Sequence, residues 1–315
     1  MYSCKVKTEV VNMSQYLKEQ ILKLKKEKNA IILAHYYQVG EIQDIADFVG
    51  DSFELSRKAK ENSADIIVFC GVRFMAESAK VLSPNKTVLL PVKEAGCPMA
   101  DMAEVEQVLN MKKEHPNAKV VTYVNSSVEV KAVSDICCTS SNAIKIVNKI
   151  DANEIIFIPD KNLGSYVQEQ VPNKKIVLWN GHCCVHDRIT ADNVLRSKED
   201  NPKLKVLVHP ECKSEVRNLA DYIGSTSGII NFAKESQDNE FLIVTEEGVL
   251  HKLEKENQGK EFTGIRGMTC KNMKKTTLED VYACLEEMKY EINIDEAVRK
   301  KAANALENML ILGSD

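Results

Sequence analysis

The apolar residues of this chain fall into short continuous runs that alternate with stretches of helical spacing. The first run, Ala30–Ala34, predicts a buried strand, and it ends in the polar and aromatic residues His35, Tyr36 and Tyr37. The polar stretch Gly50-Asp51-Ser52 then precedes a helical pattern. Because ligands of an open α/β sheet lie where strands end and helices begin, His35, Tyr37 and Ser52 are predicted to share one binding site.

This order recurs twice along the chain. Each pass runs through a strand, a polar stretch, a helix, a second strand, a second helix and a third strand, and closes with a cysteine. The separations agree, with 62 residues from His35 to Cys97, 60 from Tyr123 to Cys183 and 61 from His209 to Cys270. A repeat of about 87 residues suffices for a small three-layer unit, and apolar runs that alternate with helices favour parallel sheets.

The sequence therefore predicts an α/β fold of three homologous αβα units, each with a parallel sheet, arranged around a pseudo-threefold axis. The predicted units are residues 1–97, 98–184 and 185–284. Residues 285–315 form a tail that we expect to dock on the first unit. Near the N-terminus, Ser14 is predicted to cap a helix.

Composition excludes several classes of protein. The hydrophobic fraction of 44% and the charged fraction of 28% are typical of a soluble protein. The net charge of −4 comes without a basic stripe, so we expect no nucleic-acid partner. No apolar run approaches the roughly 18 residues of a membrane helix. Residues 1–11 lack an apolar signal core, so we expect a cytoplasmic protein that does not bind a membrane.

The cysteines are the first candidates for chemistry. There are ten, without any Cys-x-x-Cys pair, so neither a disulfide framework nor a zinc ribbon is expected. Units that meet at an axis would bring Cys97, Cys183 and Cys270 together, and three thiolates suit a soft metal. A structural zinc site usually has a fourth protein ligand. A [4Fe–4S] cluster with three cysteines would keep one iron open as a Lewis acid suited to dehydration. The residues alone leave zinc and iron–sulfur both open.

The polar stretches supply the substrate side of the prediction. Hydroxyl side chains precede the helix of each pass, where they can bind an anion or simply cap the helix. These hydroxyls belong to Ser52, Ser140, Ser225 and Thr226. The candidate acids and bases at the strand ends are His35, Tyr37, Tyr123, His209 and Glu211.

Several motifs together resemble the quinolinate synthase (NadA-type) family over nearly the whole chain. They include Ala34-His-Tyr-Tyr-Gln38, Gly96-Cys97-Pro-Met-Ala-Asp101, Trp179-Asn-Gly-His-Cys183-Cys-Val-His186 and His209-Pro-Glu211. The resemblance implies a three-unit protein with one [4Fe–4S] cluster per chain. It also implies a reaction of de novo NAD synthesis, in which iminoaspartate and dihydroxyacetone phosphate give quinolinate with loss of phosphate and two waters. L-aspartate oxidase, or another source of iminoaspartate, is the expected metabolic partner.

The resemblance also assigns roles to residues. It implies that Cys97, Cys183 and Cys270 are the cluster ligands, and that Tyr37 and His35 handle protons during phosphate loss and isomerisation. Glu211 is implied as an acid or base in dehydration and ring closure, and Tyr123 as a further catalytic group. The implied substrate contacts are His35, Ser52, Tyr123, Asn125, Ser140, His209, Glu211, Ser225 and Thr226, with His186 as an additional candidate.

The chain departs from the family pattern at two places, and two alternative functions remain open. Cys184 follows Cys183 directly, and the family pattern Gly-x-Cys-x-Val-His selects Cys183. Some relatives carry a Cys-x-x-Cys-x-x-Cys run near the last ligand, whereas only Cys270 stands there in this chain, which excludes a disulfide switch within such a run. The alternatives are a non-enzymatic iron–sulfur sensor of a small anion and a zinc lyase that acts on sugar phosphates.

Overall fold

Three parallel sheets of four strands each make up the centre of the molecule, which a computed structural model describes for residues 2–314. The first sheet contains β1 (Ala30–His35), β2 (Phe48–Gly50), β3 (Ile66–Cys70) and β4 (Thr87–Leu89). The second contains β5 (Lys119–Tyr123), β6 (Ile136–Cys138), β7 (Glu154–Ile158) and β8 (Lys175–Leu178). The third contains β9 (Lys205–Val208), β10 (Tyr222–Ile223), β11 (Glu240–Val244) and β12 (Glu261–Gly264). All three sheets have the same strand order, 2-1-3-4, which confirms the predicted α/β class.

Helices connect the strands within each sheet, and we call a sheet with these connecting helices a unit. The first unit has α2 (Gly40–Ile45), α3 (Ser52–Glu61) and α4 (Arg73–Leu82). The second has α6 (Val128–Ala132), α7 (Ala143–Lys149) and α8 (Lys161–Gln170), and the third has α10 (Ser214–Arg217), α11 (Thr226–Glu235) and α12 (Val249–Glu256). The remaining helices are α1 (Tyr2–Glu27), α5 (Val105–Glu114), α9 (Ala191–Asp200), α13 (Leu278–Glu287) and α14 (Glu296–Gly313). No helix of residues 2–314 is both long and apolar enough to cross a membrane.

The inner strands are mostly continuous apolar runs rather than alternating ones, as expected where helices cover both faces of a parallel sheet. In β1, for example, Ile32, Leu33 and Ala34 are all inaccessible to solvent. The largest hydrophobic cluster includes Phe69 of the first sheet and Phe157 of the second, and it extends to residues of α14. The units therefore share part of their core.

A repeated clamp shows how closely the three units correspond. The carboxylate of Asp47 accepts the backbone N–H of Ile32 at 2.7 Å. Asp135 and Asp221 accept the N–H groups of Val120 and Val206 in the same way, at 2.9 and 2.8 Å, and each donor precedes its acceptor by 15 residues. The clamp fixes the short strand of each sheet against the central strand, since each aspartate directly precedes β2, β6 or β10.

The structure contains elements that the sequence pattern did not predict. Each sheet has a fourth strand of only two or three residues, namely β2, β6 and β10, where the sequence suggested only a polar stretch. Ser14 lies inside α1, which begins at Tyr2, so its prediction as a helix cap was wrong.

The tail contacts two units. The Leu90 N–H donates to the Tyr290 carbonyl at 3.1 Å, and the Ile292 N–H donates to the Val88 carbonyl at 2.8 Å. Residues 290–292 thus extend the first sheet in the antiparallel direction. Helix α14 then packs against α4 of the first unit and against α6 and α7 of the second.

Candidate active site

The carboxyl ends of the central strands open onto one cavity that is lined by all three units. In the strand order 2-1-3-4 the connections reverse direction beside the first strand, which is where α/β sheets form ligand crevices. Nearly all predicted site residues line this cavity, namely His35, Tyr37, Ser52, Cys97, Tyr123, Asn125, Ser140, Cys183, His209, Glu211, Thr226 and Cys270, together with His186. Ser225 is the one predicted site residue that does not line it.

Cys97, Cys183 and Cys270 come to this cavity from three different units, and each is partly buried. Cys97, Cys183 and Cys270 are all free thiols, so these three are available as ligands. Cysteine thiolates are the usual ligands of iron–sulfur clusters, so three thiols around one cavity fit such a group. Cys184 is exposed, although it also borders the cavity.

Carboxylates hold the backbone of two of these cysteines. Asp160 accepts the Cys183 N–H at 3.1 Å, and Glu246 accepts the Cys270 N–H at 3.0 Å. Each carboxylate lies two residues after the end of a strand, Asp160 after β7 and Glu246 after β11. The equivalent contacts place Cys183, rather than Cys184, in the position that corresponds to Cys270.

Glu211 is the charged centre of the cavity. Its carboxylate accepts a hydrogen bond from the Tyr123 hydroxyl at 2.6 Å and lies 2.8 Å from Nδ1 of His186. Burial alone would raise the pKa of Glu211, but the neighbouring His186 and the hydrogen bonds outweigh burial and lower the pKa to about 2. Burial and the Glu211 charge raise the pKa of the Tyr123 phenol well above its usual value. Glu211 is thus the proton acceptor of this pair and Tyr123 the donor.

A chain of hydrogen bonds links Glu211 to Tyr37 across two units. His186 Nε2 lies 3.0 Å from the Thr245 hydroxyl, and that hydroxyl lies 2.8 Å from the hydroxyl of Tyr37. Tyr37 also contacts the Thr226 hydroxyl at 2.9 Å. Burial, followed by the charge of Glu211, raises the pKa of Tyr37 well above its usual value, so the phenol keeps its proton. The chain provides a path along which a proton can move between Tyr37 and Glu211.

His35 and His209 have the same environment in their units. Nδ1 of His35 accepts the Tyr37 N–H at 3.1 Å, and Nδ1 of His209 accepts the Glu211 N–H at 3.3 Å. Burial lowers the pKa of each imidazole to about 3, so both rings are neutral. A neutral ring whose Nδ1 accepts a hydrogen bond carries its proton on Nε2. Both histidines are therefore hydrogen-bond donors through Nε2.

Hydroxyl groups occupy equivalent positions where helices begin. Ser52 and Ser140 are 88 residues apart, and Ser140 and Thr226 are 86 apart, and all three line the cavity. The cap of α3 is Asp51, which accepts the N–H groups of Phe53 and Glu54, so the Ser52 hydroxyl is not the cap. Ser225 instead caps α11 by accepting the Gly228 N–H at 3.1 Å.

One polar atom in the cavity wall has no partner. Oδ1 of Asn125 is buried and accepts no hydrogen bond from the described residues. A buried amide oxygen without a partner is unfavourable unless a ligand or water satisfies it. Asn125 therefore marks a place where a substrate donor can bind.

Sequence reasoning missed four polar residues of the cavity region. Asp51, Thr139 and Glu246 line the cavity, and Thr245 completes the hydrogen-bond chain. All four lie within two residues of the end of β2, β6 or β11, so strand-end position was the signal that could have identified them.

Cys183, His186 and Glu211 also form a set that could bind a single metal ion, because one ligand atom from each lies within 4.8 Å of the others. Nδ1 of His186 lies 3.3 Å from the Cys183 sulfur and 2.8 Å from the Glu211 carboxylate. Within the described residues, Nδ1 of His186 is thus already engaged with the Glu211 carboxylate.

Comparison with known proteins agrees with this geometry. Residues 19–311 match the family model described as Quinolinate synthetase A protein. Quinolinate synthase of Clostridium perfringens is 59% identical over 298 residues, which are 94% of this chain and 99% of the relative. Quinolinate synthase of Clostridium acetobutylicum is 60% identical over 302 residues, 96% of this chain and 100% of the relative. That of Clostridioides difficile is 53% identical over 298 residues, 94% of this chain and 98% of the relative. The chain therefore belongs to the quinolinate synthetase A family.

Proposed function

We propose that this protein is a quinolinate synthase that condenses iminoaspartate with dihydroxyacetone phosphate. Quinolinate, one phosphate and two waters are the products, so all atoms of the two substrates are accounted for. The observation that carries the proposal is the common cavity, in which three cysteines from three units lie beside an ionised Glu211 and several neutral donors.

Cys97, Cys183 and Cys270 would hold a [4Fe–4S] cluster, one per chain. When bound, the cluster supplies a Lewis acid for the loss of hydroxyl groups as water. With only three protein ligands, one iron of such a cluster would lack a cysteine ligand. A non-enzymatic sensor would need the ligands but not the acid and base groups around them, which is why an enzyme is the better reading.

Phosphate loss requires an anion pocket and groups that move protons at the neighbouring carbons. The hydroxyls of Ser52, Ser140 and Thr226 would bind phosphate or carboxylate oxygens, and Ser225 would hold the N-terminus of α11 in place for them. His35 and His209 would donate Nε2–H groups to substrate oxygens. The unpaired Oδ1 of Asn125 would accept a hydrogen bond from substrate.

Dehydration and ring closure require a proton acceptor, and Glu211 fits this role because it is ionised and enclosed. Tyr123 would return a proton through its short hydrogen bond to Glu211, which is 2.6 Å long. Tyr37 would give or take a proton at the substrate and exchange it along Thr245 and His186. A cavity enclosed by three units would also protect iminoaspartate from water.

Activity is tested with anaerobically purified protein and both substrates. We expect quinolinate to form, with one phosphate released per quinolinate, and we expect a brown protein with about four irons per chain. A brown protein that binds small anions without forming quinolinate would instead identify a sensor. The source of iminoaspartate, such as L-aspartate oxidase, can be supplied in the same assay.

A zinc lyase is a second candidate because Cys183, His186 and Glu211 could hold a metal ion, and thiolate, imidazole and carboxylate are all ligands that zinc accepts. It would give a colourless protein with one zinc per chain. Metal analysis with a visible spectrum separates the two proposals, since only the cluster absorbs visible light.

A further inference from the structure

Three short helices, one in each unit, carry a buried polar side chain at the same position of the repeat. These residues are Gln43 on α2, Lys131 on α6 and Arg217 on α10. Gln43 and Lys131 are 88 residues apart and Lys131 and Arg217 are 86 apart, the separations that also relate Ser52, Ser140 and Thr226. Their exposed fractions are 5%, 0% and 2%, so the hydrogen bonds that their nitrogen atoms donate go to protein acceptors rather than to bulk water.

One nitrogen atom of each side chain contacts a backbone carbonyl of its own unit. Gln43 Nε2 donates to the Gln38 carbonyl at 2.9 Å. Lys131 Nζ donates to the Ser126 carbonyl at 2.8 Å, and Arg217 Nη1 donates to the Cys212 carbonyl at 2.6 Å. The three acceptors have the same separations of 88 and 86 residues as the donors, so the contact is part of the repeat.

The same nitrogen atom also contacts a backbone carbonyl of a different unit. Gln43 Nε2 donates to Gly248 at 2.9 Å, which ties the first unit to the third. Lys131 Nζ donates to Phe74 at 3.3 Å, which ties the second unit to the first. Arg217 Nη1 donates to Asn162 at 3.2 Å, which ties the third unit to the second. The three contacts therefore form a closed cycle in which every unit gives one contact and receives one.

The receiving carbonyls lie at the N-terminal ends of α12, α4 and α8, beside the cavity wall. Phe74 itself lines the cavity. Glu246, two residues before Gly248, holds the Cys270 N–H, and Asp160, two residues before Asn162, holds the Cys183 N–H. A shift of any of these helix ends would move a wall of the cavity or the backbone of a ligand cysteine.

We propose that Gln43, Lys131 and Arg217 are inter-unit positioning residues that close the ring of three units and hold the helix ends around the cavity. Aromatic contacts reinforce two of them, because Lys131 Nζ lies 5.3 Å from the ring centre of Phe74 and the Arg217 guanidinium lies 5.5 Å from that of Tyr166. Hydrogen bonds from charged donors are stronger than those from a neutral amide, so the contact of Gln43 is the weakest of the three.

Hydrogen exchange of the full-length chain, measured without substrate, tests this proposal independently of the proposed reaction. In Lys131→Met we expect the amides of α4, which belong to a different unit from the mutation, to exchange about tenfold faster. The amides of α8 and α12 should keep the wild-type rate. Arg217→Met should accelerate only α8 among these three helices, and Gln43→Leu only α12, by a smaller factor.

Lys174 provides the matched control. It is also a buried lysine of the second unit, but its Nζ donates only to carbonyls of that unit, with Val147 at 2.7 Å. Lys174→Met should accelerate exchange in α7 and leave α4 unchanged. Equal exchange of α4 in wild type and Lys131→Met, or acceleration of α4 in Lys174→Met as well, would overturn the proposal.

Substituting Lys131 by the residues found at the equivalent positions of the other units supplies a second set of variants in case Lys131→Met does not fold. Lys131→Arg introduces the residue found at 217 and should keep α4 protected as in wild type. Lys131→Gln introduces the residue found at 43 and should give an intermediate rate. If the amides of α4 exchange equally fast in Lys131→Arg and Lys131→Gln, the contact made by the nitrogen at position 131 is not what protects them.

Discussion

Cys183 and Cys184 are adjacent, yet their surroundings differ. Cys183 is partly buried, its N–H is held by Asp160, and its sulfur lies 3.3 Å from His186. Cys184 is exposed. A ligand must be held in place before the metal binds, and only Cys183 has such support.

We therefore expect Cys183→Ala to lose the brown colour and nearly all iron, because two cysteines would remain at the cavity. Cys184→Ala should keep about four irons per chain and its visible spectrum. Iron analysis under anaerobic conditions checks both. Retention of the cluster in Cys183→Ala together with its loss in Cys184→Ala would reverse the assignment.

Glu211 is the ionised group of the cavity, so its replacement tests the chemistry directly. Glu211→Gln keeps the size of the side chain but cannot accept a proton. We expect the rate of quinolinate formation to fall by roughly 10²–10⁴-fold, the usual contribution of a general acid or base. Iron content should stay unchanged, since Glu211 is not one of the proposed ligands.

Glu215→Gln, at an exposed position of the same unit, is the control and should leave the rate unchanged. A normal rate in Glu211→Gln would remove the proposed role of this residue. Loss of iron together with activity would show that Glu211 acts on the metal site rather than on protons.

At the scale of single elements, the carboxylate clamp that Asp135 forms beside β6 makes stability depend on pH. Burial would raise the pKa of Asp135, but the hydrogen bond from the Val120 N–H and the charges of Lys119 and Lys112 outweigh it and lower the pKa. A folded-state pKa below the unfolded value of about 3.9 stabilises the protein above that pH. This stabilisation is lost as the pH falls through the folded-state pKa.

Asp135→Asn keeps an oxygen that can accept the Val120 N–H but removes the charge. We expect the variant to be less stable than wild type at pH 7 by less than about 1 kcal/mol, because the lysine pairs are partly exposed. The difference should shrink as the pH falls below about 4, since Asp135 is then protonated first in the unfolded chain and, at still lower pH, in the folded protein. Denaturant unfolding of both proteins at pH 7 and pH 3 measures it. A difference that stays constant with pH would contradict the clamp as an ionised group.

The strands show which elements a sequence pattern can predict and which it cannot. The strand β1 was predicted as Ala30–Ala34 and ends one residue later, because a buried parallel strand is a continuous apolar run. The short strands β2, β6 and β10 were missed, since two or three residues are too few for a period to be visible. Their position is fixed by an aspartate that accepts the N–H of a central-strand residue 15 positions earlier, which is a tertiary contact.

The candidate site was predictable for a related reason. Residues at strand ends reach the cavity because parallel strands end at the same edge, which is why His35, Tyr123 and Glu211 could be selected in advance. Strand-end position does not tell which residue of a polar stretch lines the cavity. Ser225 and Thr226 are adjacent in sequence, and only the structure separates the helix cap from the residue that lines the cavity.

At the scale of the whole molecule, a cluster bound to Cys97, Cys183 and Cys270 would join three separate units. A ligand that binds the folded protein but not the unfolded chain raises the stability of the folded protein. We therefore expect the brown, anaerobic protein to unfold several degrees above the same protein after oxidation and chelation of its iron. Differential scanning calorimetry under anaerobic conditions measures both unfolding temperatures.

Cys97→Ala serves as the control for this last experiment, because it removes the ligand of the first unit. Its unfolding temperature should match that of the iron-free wild type and should not change on treatment with chelator. Hydrogen exchange adds the location of the effect, since loss of the cluster should loosen the loops around Cys97, Cys183 and Cys270 together. A cluster that joins three units cannot release one loop alone, so loosening confined to a single cysteine would mean that the metal is bound by one unit only.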